Sequence, residues 1–498
     1  MRKKMICLVL SGGLVAASLA PASTVFAAQI KEKNGASSTE STAATDTTTT
    51  APAAAAEAAN HGVITDYTLE KTGTAENQSG MYVNYDALIY GSGSGGKLVF
   101  ENGSSSDEVV DFDALGDYYI LRNDSFDNNV NAAGLFAADG TQLIPYEAAI
   151  IEWLDTSYSY TDDTAPHRFV EVTYSDGLAD DSSEAYFYVY SGYFSTAPSE
   201  DDVLYKGHGR IFDTETRQFV PNIELTNPAL DVYECGDSIV IGDGNVVTMY
   251  DANGNELVKS GEGYYNYASS CVGNGIFMIE NGTGYVVYDD TGKELYTSEN
   301  IVSLVSSTSG YLRQYTDDSL YIILDSTGKQ VLPGKYDYVS EESCGYITVG
   351  LEDGSGQIIK ADGTVIAEGK DAYSFYSIIP GYYYTEEGST YSLYGPSGLV
   401  KDGISSYPSN LCVYDGTTAL VVNTGAEMTL PGSTVYDVTY GLVTVKDDVS
   451  GLYGLYNLLT GAELLPCEYD DIDATDYHVY AQKGDNWDIY SINPVYAK

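Results

Sequence analysis

The chain is poor in nearly everything from which an enzyme site is read. Its 498 residues include 4 histidines, 6 cysteines and 2 tryptophans. His61, His167, His208 and His478 lie far apart and form no HxH or HExxH, so zinc chemistry and a Ser-His-Asp arrangement have no local support. Basic residues are scarce, 23 against 72 acidic ones, for a net charge of −49. Such a field repels nucleic acid and anionic lipid, and keeps a β protein with open edges soluble. No apolar run approaches the length of a membrane helix after the first few dozen residues. No window sustains a 3.6-residue apolar period, so helices should be almost absent outside the N-terminal leader.

What is present is turns and tyrosine. Asp139-Gly140 precedes Gln142-Leu143-Ile144-Pro145, and Asp251 through Gly254 precedes Glu256-Leu257. Asp289 through Gly292 leads to Glu294-Leu295, and Asp325 through Gly328 to Gln330-Val331-Leu332-Pro333. Asp at the first position and Gly at the fourth suit a type I turn closed by a left-handed residue. From Gly254 through Gly292, Gly328 and Gly363 to Gly398 the step stays at 35–38 residues; Gly425 follows after 27 and Gly461 after 36. Upstream, Gly103, Gly140 and Gly177 are 37 apart. A fixed period of this length means a repeat array, and each period has room for four short strands, as in a propeller blade. The fold class expected is therefore all-β and β-propeller-like, of about ten or eleven units; two propellers or an open β-solenoid are the alternatives.

The fullest copy is GLYGLYNLLTGAELLPCEYDDI, residues 451–472. Leu452 to Tyr456 suit a strand, Gly461 a hairpin, and Pro466 should end the return strand. With Tyr453-Gly454 in place of Trp-Gly, and with the ending Pro466-Cys467-Glu468-Tyr469-Asp470, the unit resembles the bacterial WG-repeat family. Pro333 to Asp337 repeats the ending. The resemblance implies a β-propeller-like array and brings no shared catalytic residues, so no catalytic, cofactor or metal site is assigned.

Residues 1–27 read as a secretory signal, with Arg2, Lys3 and Lys4 before an apolar stretch and a small-residue cleavage site at Val25-Phe26-Ala27. Residues 28–61, rich in Ser, Thr and Ala, read as a disordered linker. Repeats fill 62–498, with a subdivision expected near 230. The protein is expected outside the cell, secreted or loosely surface-associated, from a bacterium of Gram-positive type.

Individual motifs are weak. Gly91 to Lys97 matches part of a phosphate-binding loop, but Leu98 stands where Ser or Thr should hold magnesium and a strand follows, so it reads as a turn. Carboxylate pairs (Asp162-Asp163, Asp180-Asp181, Asp470-Asp471) carry little information in so acidic a chain. Calcium has two candidate stretches, around Asp251 and Glu256 and around Asp470, Asp471 and Asp473, where turn geometry alone explains the aspartates. Cys235, Cys271, Cys344, Cys412 and Cys467 follow the repeat spacing and read as buried thiols. Tyrosine is in surplus, 47 against 12 Phe. Tyr382-Tyr383-Tyr384 and Tyr264-Tyr265 exceed what one strand face can hide, and suggest a contact surface. The expected function is a secreted, non-catalytic binding protein whose partner is an extracellular protein or a cell-wall glycan. An extracellular glycoside hydrolase and a purely structural surface protein are the alternatives.

Overall fold

The computed structural model describes residues 4–6 and most of 64–496; the longest stretches outside it are 155–167, 190–202, 263–270 and 405–412. The described residues form strands, turns and bends with no helix. Their strands make eleven sheets in chain order. Sheets 1 to 5 span residues 81–99, 111–148, 150–219, 231–259 and 271–298; sheets 6 to 10 span 302–324, 338–369, 375–404, 413–429 and 434–469. Sheet 11 combines 471–496 with the strand Ile64–Ala75. All but the third are antiparallel sheets of three or four strands, and all but the third and the eleventh are meanders, the bookkeeping of propeller blades.

Neighbouring sheets pack face to face, and each strand serves two neighbours. In Tyr346–Gly350 of sheet 7, Tyr346 packs with Phe375 and Tyr383 of sheet 8, whereas Ile347 and Val349 pack with Ile323 of sheet 6 and Leu332 of the segment that follows it. Period-2 alternation therefore sends successive apolar side chains into different cores. That is why these strands read as continuous apolar runs instead of alternating ones. Such shared clusters join every consecutive pair of sheets, including the pair either side of residue 230.

The succession also joins its own ends. Ile64–Ala75 is the outermost strand of sheet 11, antiparallel to Asn486–Tyr496. Ala75, Tyr480, Trp487 and Ile489 of that sheet then pack with Met81, Leu88 and Val99 of sheet 1. The buried His478 places Nε2 2.7 Å from Glu101 Oε1 across the same contact.

The turn glycines explain how the sheets interlock. Gly140, Gly254, Gly292, Gly328, Gly363, Gly398, Gly425 and Gly461 all have positive φ. Most also press on the preceding sheet: a Cβ on Gly140 would meet the Phe100 ring at 2.9 Å, one on Gly292 Leu257 at 3.0 Å, and one on Gly461 Val421 at 3.1 Å. At the joined ends Gly103 does the same to Thr74, with φ of 81° and a would-be Cβ 2.9 Å from the Thr74 carbonyl carbon. Gly73 reciprocates: a Cβ there would stand 2.7 Å from the Asn102 carbonyl carbon and 2.8 Å from the Gly103 nitrogen. The N-terminal strand thus stands to sheet 1 as most outer strands stand to the sheet that follows them.

Three expectations need correction. Gly177 is no turn glycine; it sits at a register shift inside the strand Phe169–Leu178. The outer turn of sheet 3 is instead carried by Arg217 with φ of 57°, while Asp213 Oδ1 accepts the Glu215 N–H at 3.0 Å. Pro466 does not end its strand, which runs through it as Ala462–Tyr469, and Pro145 lies inside Gln142–Ala148. Both are outer strands, where one edge needs no N–H for a ladder. Lastly, Tyr382, Tyr383 and Tyr384 are all buried, at 4%, 1% and 3% exposure. A strand between two neighbouring sheets has no solvent face for them to occupy.

Of residues 1–27, only Lys4–Ile6 is described, as a strand parallel to Phe187–Val189. The remainder of the signal, its cleavage site and the linker 28–61 lie outside the described residues, as do Tyr264, Tyr265, Cys344 and Cys412.

Candidate functional site

The sequence motifs dissolve into architecture. Gly91 and Ser92 pair with Gly96 and Gly95 in a hairpin, with no helix to cap a phosphate. Asp251 Oδ1 accepts the Asn253 and Asn255 N–H groups at 2.9 and 2.8 Å, and its other oxygen takes the Asn255 amide at 2.9 Å. Its oxygens are therefore engaged in the turn. Asp470 accepts the Gly484 N–H at 2.7 Å, and Asp471 the Ile472 N–H at 3.0 Å. Among the described residues, no group of three or more His, Cys, Asp or Glu side chains is placed to hold a metal. His208, 3.0 Å from Asp176 and stacked on Tyr174, lies in sheet 3, far in sequence from His478 in sheet 11. His61, His167, Asp162, Asp163 and Asp181 are outside the described residues. Cys235 is a buried thiol and Cys467 a half-buried one.

Two places stand out. The first is an aromatic row on sheet 6. Tyr315 pairs with Tyr321 across two strands, their rings 5.1 Å apart, and Tyr321 exchanges both backbone hydrogen bonds with Tyr336. Ile301, just before the Val302–Gln314 pair, comes level with Tyr315 in the same register. Directly opposed residues share a face, so the row passes from exposed Ile301 (49%) and Tyr315 (45%) to buried Tyr336 (8%). Arg313, two residues from Tyr315 and on the same face, donates from Nε to Ser303 Oγ at 2.9 Å and from Nη1 to the Val339 carbonyl of sheet 7. Its guanidinium lies 5.9 Å from the Tyr321 ring centre. Asp318, paired with Lys335, and exposed Asp317 flank the row. The row offers an apolar face that is anchored at one end and open at the other, beside fixed polar groups. The sequence signal for it was modest: two strand-like runs, at 301–305 and 311–315, each with an aliphatic or aromatic residue at the end.

The second is a polar seam between sheets 3 and 4. Glu234 is buried and accepts the backbone N–H of Arg168 at 2.7 Å and of Phe169 at 3.1 Å. Arg168 holds Asp213 with two hydrogen bonds of 3.0 and 2.8 Å, and Asp237 with one of 2.7 Å. The hydrogen bonds to Asp213 and Asp237 keep the guanidinium proton affinity well above its usual range, against the opposing effect of burial. Burial alone would raise Asp213, and the Arg168 contacts reverse this to leave it lowered. For Glu234 burial prevails over the two N–H groups and pushes the carboxyl up to about 8. Further along the same strand Glu171 is buried, lies directly opposite Glu152, and accepts the Tyr186 hydroxyl at 3.4 Å. Burial, then Glu171, raises the Tyr186 hydroxyl and keeps it protonated.

Comparison with known proteins gives a sparse picture. The WG containing repeat matches residues 323–353. That stretch takes in the end of the last strand of sheet 6, its outer turn at Gly328, and the first two strands of sheet 7. No curated protein sequence matches the chain. Among solved structures, a eukaryotic initiation factor aligns with a TM-score of 0.37 and 12% identity, covering 84% of this chain and 98% of that one. BamB from Moraxella catarrhalis aligns at 0.25 and 11%, covering 76% and 95%, and the computationally designed Ika8 protein at 0.25 and 10%, covering 66% and 98%. Likenesses of this size support no inference about function. The chain is an all-β, propeller-like repeat protein, one stretch of which, 323–353, is similar to the WG containing repeat.

Proposed function

We propose that this chain is a non-catalytic binding protein, presented outside the cell, that recognises an extracellular protein or a cell-envelope glycan. The observation that carries this reading is the aromatic row on sheet 6. Among the tyrosines whose side chains the structure describes, only Tyr90 and Tyr315 are exposed, and Tyr315 stands beside an exposed aliphatic residue. An aromatic ring with hydrogen-bonding groups at its edge suits both the apolar faces of sugars and the anchor residues of protein interfaces. Secretion rests on the leader expected at 1–27, and the acidic field argues against nucleic acid as a partner.

The test is binding of the purified protein to immobilised peptidoglycan, a glycan panel and extracellular proteins. Tyr315→Ala and Ile301→Ser should weaken a saturable interaction at least tenfold while leaving stability within about 0.5 kcal/mol, as for exposed substitutions. Binding that is insensitive to both would remove the row from the account. A glycoside hydrolase is the competing reading, and the opposed Glu152 and Glu171 are the observation in its favour, since paired carboxylates do such chemistry. Polysaccharide turnover abolished by Glu152→Gln would establish it.

A further inference from the structure

The aromatic row on sheet 6 lies in an electrostatic setting that selects among partners. Sheets 6 and 7 are successive units, and in each the second strand turns into the third at the same end, at 316–320 and at 351–355. The Asp337 N–H donates to the Gly350 carbonyl at 3.1 Å, which ties the residue after Tyr336 to the base of the second turn. Leu351, the first residue of that turn, belongs to the same apolar cluster as Tyr321 and Tyr336. Ile301 and Tyr315 therefore open onto the end of the strands that carries both turns. Exposed Glu299, Asp317, Asp337, Glu352 and Asp353 stand at this end. The basic groups here are directed elsewhere: Arg313 donates to Ser303 and to the Val339 carbonyl, and Lys335 pairs with Asp318. The other basic residues of sheets 5 to 7, Lys293, Lys329 and Lys360, lie at or beside the outer hairpins, at the opposite end of the strands. The open end of the row is thus apolar in its middle and negative at its rim.

We propose that this end of the row takes a cationic segment of a protein partner, a stretch in which Lys or Arg flanks an apolar anchor. The inference rests on the reading of the row as a binding face, and narrows its partner from a protein or a glycan to a basic protein. Ile301 and Tyr315 give an anchor side chain apolar contact. The face of the Tyr315 ring attracts a cation. The surrounding carboxylates meet Lys or Arg at the rim, where the charges stay hydrated and set specificity and encounter rate. The net charge of −49 draws a basic partner toward the molecule from a distance. A neutral glycan gains nothing from this charge, and an anionic polysaccharide is repelled by it.

The experiment is binding of the purified whole protein to three immobilised probes: a synthetic peptide of alternating lysine and leucine, the same peptide with glutamate for lysine, and peptidoglycan. The lysine peptide should bind saturably and the glutamate peptide should not. Affinity for the lysine peptide should fall roughly tenfold or more in Tyr315→Ala. It should fall about two- to fivefold in each of Asp317→Asn and Glu352→Gln, the scale of an exposed charge pair. Glu256→Gln, which removes the same charge at the outer hairpin of sheet 4, should leave it unchanged. Raising salt from about 0.05 to about 0.5 M should weaken it roughly tenfold, because screening shortens the reach of exposed charges. Peptidoglycan binding that Tyr315→Ala abolishes, and that neither salt nor the carboxylate substitutions alter, would keep the row as a binding face and overturn the cationic partner. Binding of the lysine peptide that ignores Tyr315→Ala, or that responds as much to Glu256→Gln, would reduce the attraction to overall charge and overturn the proposal. Failure of that peptide to bind would overturn it as well.

Discussion

The joined ends of the array can be broken by a single methyl group. Gly73 lies in the strand Ile64–Ala75 with an ordinary φ, so an alanine there carries no dihedral penalty. Its Cβ would nevertheless stand 2.7 Å from the Asn102 carbonyl carbon and 2.8 Å from the Gly103 nitrogen, both backbone atoms. Relief requires the strand or the facing turn to move, a cost of about 1–3 kcal/mol for overpacking. Gly398→Ala is the complementary control: φ is 102° and a Cβ there meets nothing within 4 Å, so it reports the dihedral cost alone, about 1–2 kcal/mol. Gly103→Ala combines both effects, with φ of 81° and the Thr74 backbone in contact, and should cost about 2–5 kcal/mol. Local opening is read by hydrogen exchange in Asn486–Tyr496 and by protease release of the N-terminal strand. A loss of 2 kcal/mol raises the open population roughly 30-fold. Gly73→Ala and Gly103→Ala should open sheet 11, while Gly398→Ala should leave it closed and disturb only sheet 8. If Gly73→Ala leaves the exchange of sheet 11 unchanged, the close approach of the two backbones is not what holds the ends together.

Two further outcomes follow from the turns. Arg217→Gly should stabilise sheet 3 by about 0.5–1 kcal/mol, because it relieves the left-handed backbone at slightly more than the entropy cost of glycine; a lower denaturation midpoint would show that the arginine side chain itself matters there. Asp251 and Asp325 are held below the usual carboxylate range because hydrogen bonds within their turns outweigh desolvation. Their contribution is intact above the ordinary aspartate value and is lost as pH falls through the lowered one, so thermal stability should drop below about pH 4. Asp325→Ala should flatten part of that drop, and should cost about 1–2 kcal/mol at neutral pH for the Thr327 and Lys329 N–H bonds.

Much of this architecture is legible in the sequence. Turn chemistry is local: an aspartate that binds the amides two and four residues on, and a glycine free to take positive φ, act on their own few residues wherever they occur. Their spacing therefore marked the outer hairpins of most sheets, and the surplus of β-branched and aromatic residues marked the strands between them. The reading failed where a different residue did the same work, as at Arg217, or where a glycine did different work, as at Gly177. It failed for Pro466 because whether a strand has a free edge depends on its neighbours.

The all-β, repetitive and acidic character of the chain is written in its residues alone, since hairpins, period and charge are properties of short stretches and of composition. Tertiary structure alone decided three things. It set the phase of the units, because the sequence repeat at 451–472 runs from the outer hairpin of sheet 10 into the first strand of sheet 11. That offset leaves the last sheet without an outer strand, and the strand at Ile64–Ala75 fills the place from more than 400 residues away. It decided which tyrosines meet solvent: Tyr382, Tyr383 and Tyr384 are covered on both sides by adjacent sheets, whereas Tyr315 ends its strand in the open. And it gathered Glu234, Arg168 and Asp213 into one seam, a long-range juxtaposition that no local pattern encodes, because proximity across sheets is fixed by packing and not by spacing along the chain.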